Sequence, residues 1–165
     1  MVIDPPTSMH TALAMGPMGF GTAAVIGARL AQPSSTCLAV VGDGGFLMQA
    51  GEIATAAQYG IGAIWVVLAD HDLNMVSQGM AAVTGDQGYE DYYQIGWTDL
   101  AAVANGMGAV AYSVTTPDEL TAALGQAIAG ANNPGGNVPQ VIVATIDATE
   151  APPYDYTKHG IAPPA

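Results

Sequence analysis

Two short apolar runs, each closed by an acid, constrain this chain more than anything else in it. Cys37-Leu38-Ala39-Val40-Val41 runs into Gly42-Asp43-Gly44-Gly45, and Ile64-Trp65-Val66-Val67-Leu68 runs into Ala69-Asp70-His71-Asp72-Leu73-Asn74. Short apolar runs bounded by Gly and Asp read as buried strands. A helix around Gly51–Tyr59 fits between them. Strand, helix, strand implies a parallel pair, so Asp43 and Asp70 reach the same edge of the sheet. That edge is where open α/β sheets bind ligands. Two carboxylates there, beside a glycine turn with free backbone N–H groups, suit a hard cation and a phosphate together. Gly-Asp-Gly alone is a common turn; its weight here comes from the second acid at the second strand end.

The rest of the chain keeps the alternation. A helix is expected over Gly21–Ala31, stopping before Pro33. Asp99 is placed to cap a helix that opens at Leu100, Val110–Val114 reads as a strand, and Thr116-Pro117-Asp118-Glu119 supplies a cap, a first-turn proline and two first-turn acids. That helix is expected to run to about Ala129, with a loop over Asn132–Gly136 and a last strand at Val141–Ile146. Residues 1–15 read as irregular and 75–98 as a polar, aromatic loop with short helical pieces. The expected fold is α/β, a parallel sheet flanked by helices on both faces. The expected organisation is one domain over 1–150 and a Pro-rich tail over 151–165.

Composition removes several function classes. The 165 residues carry 14 acids and two bases, a net charge of −12. Nucleic acid and anionic membranes are poor partners for such a chain. No apolar run reaches the roughly 18 residues of a membrane helix, and no basic-then-apolar leader opens the sequence; a cytoplasmic enzyme is expected. Only 10% of residues are charged, which suggests surface covered by another subunit or, on the plainer reading, an Ala/Gly-rich chain with a quiet surface. With so few bases, a bound phosphate must be neutralised by a metal, by helix N-termini or by a partner. Cys37 is the only cysteine and is expected in the core. Glu52 is read as complementing a helix dipole. His71, between Asp70 and Asp72, is a solvated loop histidine or, on the sharper reading, a proton-transfer group. Gly19-Phe20-Gly21-Thr22-Ala23-Ala24 also fits a dinucleotide fingerprint, but no clear apolar strand precedes it.

Gly42-Asp43-Gly44, a helix, a strand, and Asp70 standing 27 residues after Asp43 resemble the signature of the thiamine diphosphate (ThDP) enzymes, in their C-terminal diphosphate-binding (PP) domain. The acetolactate synthases and 2-oxoacid decarboxylases are the groups within it that the chain resembles. The resemblance implies ThDP and Mg²⁺ as cofactors. It implies Asp43, Asp70 and the carbonyl of Asp72 as metal ligands, with Gly42, Gly44, Gly45, Leu73 and Asn74 around the diphosphate. The chain departs from the pattern where Ala69-Asp70 replaces an Asn-Asn pair, adding a negative charge. Met15-Gly16-Pro17-Met18-Gly19-Phe20-Gly21-Thr22-Ala23-Ala24 is similar to the family's segment under the bent cofactor. There Met18 would support the bend, and the Gly16 carbonyl would accept from the aminopyrimidine. Asp72-Leu73-Asn74-Met75-Val76 resembles the synthases' loop ending Gly-Met-Val, with Met75 a candidate pocket wall. Gly79 stands where typical synthases carry Trp, which argues for a different or larger substrate.

What the resemblance implies chemically is decarboxylation of a 2-oxo acid, after which the enamine either takes a proton or attacks an acceptor carbonyl. The glutamate that activates the cofactor belongs, in this family, to a separate pyrimidine-binding domain. The chain is therefore expected to be the diphosphate-binding half of a split enzyme in a hetero-oligomer, with a fragment of a longer chain as the rival reading. An acetolactate synthase-like carboligase, a two-chain decarboxylase of the sulfopyruvate or phosphonopyruvate type, and a non-catalytic assembly or regulatory domain remain open. The two retained acids weigh against the last.

Overall fold

The computed structural model describes residues 9–12, 14–84, 92–134 and 137–150. The expected position of the tail, 151–165, lies outside them. In chain order the elements are α1 (Phe20–Ala31), β1 (Leu38–Gly42), α2 (Asp43–Met48), α3 (Gly51–Gln58), β2 (Ile64–Ala69), α4 (Asn74–Thr84), α5 (Leu100–Gly106), β3 (Val110–Val114), α6 (Pro117–Ala131) and β4 (Gln140–Thr145). The four strands form one sheet in the order β1-β2-β4-β3, every pair parallel.

That order follows from handedness. The chain steps from β1 to β2 in one direction across the sheet and from β3 to β4 in the other. Right-handed crossovers running in opposite directions place their helices on opposite faces. The core divides accordingly. On one face Trp65, Val67, Val141 and Val143 pack with Val25, Ile26, Phe46, Ile53 and Leu100 from α1, α2, α3 and α5. On the other, Ile64, Val66, Ile142 and Ala144 pack with Ala123, Ala127 and Ala131 of α6. β2 and β4 are covered on both faces, which explains why they read as unbroken apolar runs. Trp65 is fully buried, and its indole N–H donates to the Thr22 carbonyl at 2.9 Å.

Three expectations need correction. Gly42–Gly45 is not a free turn leading to a single helix: α2 begins at Asp43 itself, and a break at Gln49–Ala50 separates it from α3. Gly42 supplies the extended N-cap, so the two acids are joined by two short helices. The polar 75–98 region opens with a helix, α4, whose eleven residues hold neither a proline nor a charge and whose Ala, Met and Gln favour helix; residues 85–91 lie outside the described residues. Cys37 precedes β1 and is half-buried, packed against the margin of the core. The caps match expectation: the Asp99 carboxylate accepts from the Ala102 N–H at 2.9 Å, and Thr116 and Glu119 close a reciprocal capping box on α6.

Candidate functional site

β1 and β2 are hydrogen-bonded neighbours with Gly42 opposite Leu68, so the residues that follow them emerge side by side. Asp43 is the first residue of α2 and is 3% exposed. A carboxylate buried that deeply needs donors, and it has two. Its Oδ1 accepts from the Gly44 N–H and its Oδ2 from the His71 N–H, both at 2.7 Å. The second bond crosses from the end of β1 to the loop after β2, so Asp43 itself fixes that loop.

The loop is a compact turn of acids. Asp70 Oδ1 accepts from the Asp72 N–H at 3.2 Å and Oδ2 from the Asn74 side-chain amide at 2.8 Å. Asp72 Oδ2 accepts from the Ser77 hydroxyl at 2.8 Å, while its Oδ1 is buried without a hydrogen-bond partner. His71 takes the left-handed conformation, φ 63°, rare for a residue with a side chain. Its N–H is held by Asp43, its carbonyl accepts from the Ile95 N–H at 3.0 Å, and its ring lies 4.9 Å from that of Trp97. The Leu73 N–H donates to the Tyr93 carbonyl, and the Leu73 carbonyl accepts from Val76 and Ser77. None of these bonds goes to the carbonyl of Asp72.

The third piece is the turn before α1. The Gly16 and Gly19 backbones are left-handed, at φ 57° and 85°. Gly19 lies against Gly45, where a Cβ would come 3.3 Å from the Gly19 nitrogen, and the Thr22 hydroxyl donates to the Gly45 carbonyl at 3.3 Å. Gly44 is where the three pieces converge. A Cβ there would meet Leu73 Cδ2 at 2.7 Å and Ile95 Cδ1 and Met18 Cε at 3.2 Å. The structure thus brings Met18, Gly42, Asp43, Gly44, Gly45, Asp70, Asp72, Leu73 and Asn74 to one edge. Met75, one residue into α4, is 84% exposed. Beside Met18 an open groove is lined by Pro17, Phe20, Ala23, Ala24 and Gln49.

Three participants had no signal in the sequence. Ile95 and Tyr93 reach the site through a single antiparallel bridge, Asp72 to Gln94, too short to leave a period-two pattern. The segment after β4 also arrives here, since the Ala148 carbonyl accepts from the Asn74 and Gln78 amides and the Glu150 carbonyl from Gln78. Within it Asp147 accepts from the Thr149 hydroxyl and N–H, which hold its carboxyl below the usual range.

As a donor set the edge offers hard oxygens. Each Asp43 oxygen spends one lone pair on an amide, leaving others for a cation. Among the described residues no three His, Cys, Asp or Glu side chains converge as a metal cluster. A cation here would therefore rest on two carboxylates completed by carbonyl, ligand or water oxygens, the mixed set Mg²⁺ favours. The one described base, Arg29, is buried with its guanidinium on the carbonyls of Ser35 and Ala131, away from this edge.

Comparison with known proteins places these features. Residues 1–143 match the family described as thiamine pyrophosphate enzyme, C-terminal TPP binding domain. The acetolactate synthase large subunit of Haemophilus influenzae is 36% identical over 124 residues, 75% of this chain and 22% of that protein. The probable acetolactate synthase large subunit of Methanocaldococcus jannaschii is 33% identical over 149 residues, 90% of this chain and 24% of that protein. The chain thus spans about a quarter or less of these relatives' length. The ThDP-dependent 4-hydroxybenzoylformate decarboxylase of Rhodococcus jostii RHA1 superposes with a TM-score of 0.72 at 24% identity, over 82% of this chain and 25% of that one, and so shares the fold. With a match running through nearly all of the described residues, the chain belongs to the thiamine pyrophosphate enzymes, as a C-terminal TPP-binding domain.

Proposed function

We propose that this chain is the diphosphate-binding part of a ThDP- and Mg²⁺-dependent enzyme of acetolactate synthase-like carboligase type, acting on a 2-oxo acid in the cytoplasm. The observation that carries the reading is the Asp43–His71 bond, which ties the loop that carries Asp70 to the strand end that carries Asp43. Asp43, Asp70 and the Asp72 carbonyl would hold the cation, and the cation would neutralise the diphosphate. Gly44, with no side chain, lets Met18 and Leu73 close in on the turn where the diphosphate would sit. When bound, the cofactor would supply, once its acidic C–H is deprotonated, a carbanion nucleophile for the 2-oxo acid and a sink for the electron pair left as CO₂ departs.

The activating glutamate and the substrate's cation would come from a pyrimidine-binding chain or domain, making the working enzyme an assembly. Exposed apolar residues support that requirement: Phe20, Leu30, Val40 and Met48 all face outward. A Cβ on Gly79 would stand in open space, in keeping with an acceptor pocket wider than a Trp at this position allows.

The test is ThDP titration by calorimetry into the assembly that co-purifies with this chain, with Mg²⁺ and with EDTA. Tight binding only with Mg²⁺, weakened by about two orders of magnitude in Asp43→Ala, is the expected outcome. Binding indifferent to that substitution sinks the metal assignment, and a chain that travels without partner or ThDP favours the non-catalytic alternative.

A further inference from the structure

Asp70 and Asn74 form a matched pair. Both oxygens of Asp70 face donors, the Asp72 N–H at 3.2 Å and the Asn74 amide at 2.8 Å. An asparagine at position 70 would turn its own NH₂ toward one of those donors, so the loop as built accepts only a carboxylate. Asn74 is equally committed. Its NH₂ donates to Asp70 Oδ2 at 2.8 Å and to the Ala148 carbonyl at 2.9 Å, which spends both hydrogens and fixes the amide's orientation. Position 70 is where the loop departs from the pattern it resembles, and Asn74 supplies a donor that the carboxylate there accepts.

The electrostatic consequence is direct. Asp70 and Asp72 share the turn after β2, which Asp43 grips through the His71 N–H, and no described lysine or arginine lies there. Such a field attracts a divalent cation and repels an anionic diphosphate until the cation is in place.

We propose that Asn74 is a positioning residue that presents Asp70 as a charged ligand, and that the resulting two-carboxylate site takes up a divalent cation before, and without, the diphosphate. This rests on the metal assignment made under the proposed function. The experiment is Mn²⁺ titration, by calorimetry and electron paramagnetic resonance, of the cofactor-stripped assembly containing this chain. Mn²⁺ should bind in the absence of ThDP. Asp70→Asn should weaken it at least about tenfold and Asn74→Ala by roughly five- to tenfold, in the range of changes to groups that orient metal ligands. The double variant should bind no more weakly than Asp70→Asn alone, because Asn74 acts only through Asp70; a merely structural role would add its loss. Mn²⁺ that binds only with ThDP, or that binds Asp70→Asn as tightly as the parent, overturns the proposal. So does an Asn74→Ala loss that adds to that of Asp70→Asn. The underlying reading is separated by Asp43→Ala: if Mg²⁺-dependent ThDP binding survives that change, the metal assignment itself is wrong.

Discussion

Gly44 marks the most crowded point of the site, and the crowding is made of side-chain ends. A methyl there meets Leu73, Ile95 and Met18, each able to rotate away, so Gly44→Ala should fold, at a cost of about 1–3 kcal/mol, while separating the turn before α1 from the loop after β2. ThDP affinity should fall with it, and urea unfolding alongside cofactor titration reads both. His71 makes the opposite case, a side chain where glycine would sit more easily. Asp43 and Ile95 hold its backbone on both sides at φ 63°. His71→Val should cost about 1–3 kcal/mol because a β-branched residue resists that conformation. His71→Gly should relieve the strain and cost less, the difference appearing in denaturant midpoints. Residue identity at this edge was legible in the sequence because Asp43 and Asp70 close apolar runs. What surrounds them was not: the His71 N–H on Asp43, the Ile95 methyl against Gly44 and the Ala148 carbonyl on Asn74 come from backbone geometry and distant segments, which no local pattern encodes.

Elements were legible where termini carry their own chemistry and illegible where they do not. α6 announced itself through Thr116, Pro117 and Glu119; α2 did not, because Asp-Gly-Gly reads as a turn until the Gly42 cap and the pull of the Asp43 carboxylate on the Gly44 N–H are known. α4 was hidden by its exposed, uncharged face. Among the described residues α6 alone packs on its side of the sheet, so its first turn matters. The Glu119 carboxylate accepts from the Thr115 N–H and hydroxyl and from the Thr116 N–H, and these bonds, the Thr115 backbone bond foremost, hold its carboxyl below the usual range. A carboxyl lowered on folding stabilises the fold above its unfolded pKa and loses that contribution as pH falls through the folded value. Stability measured in urea from neutral pH down to about pH 3 should therefore lose an increment on the acid side that Glu119→Gln lacks. Thr116→Ala should cost about 1 kcal/mol at neutral pH.

At the scale of the whole molecule, the chain's one described arginine or lysine takes on a structural meaning. α1 and α6 lie on opposite faces of the sheet, and Arg29 links them. From the last turn of α1 its guanidinium donates to the Ser35 carbonyl and, at 3.2 Å, to the carbonyl of Ala131, the final residue of α6. A cation at that terminus meets the negative end of the helix dipole and satisfies a carbonyl that the helix cannot. The neighbouring Asn132 amide adds a bond of 3.0 Å to the Thr36 hydroxyl. A chain of net charge −12 thus spends its described base on holding two layers together, at the end of the sheet opposite the acids. Arg29→Ala should cost about 2–4 kcal/mol, since it removes two charge-assisted bonds, one of them to the carbonyl of the buried Ala131. Arg29→Lys should recover only part, because an ammonium cannot fork between two carbonyls set apart by the guanidinium's width. The loss should change little between low and moderate salt, as expected for a buried group screened weakly by ions. Guanidine-free unfolding in urea at two ionic strengths would show this. A loss that disappears in salt would mean that Arg29 stabilises the chain through long-range attraction to its acids rather than by joining the two layers.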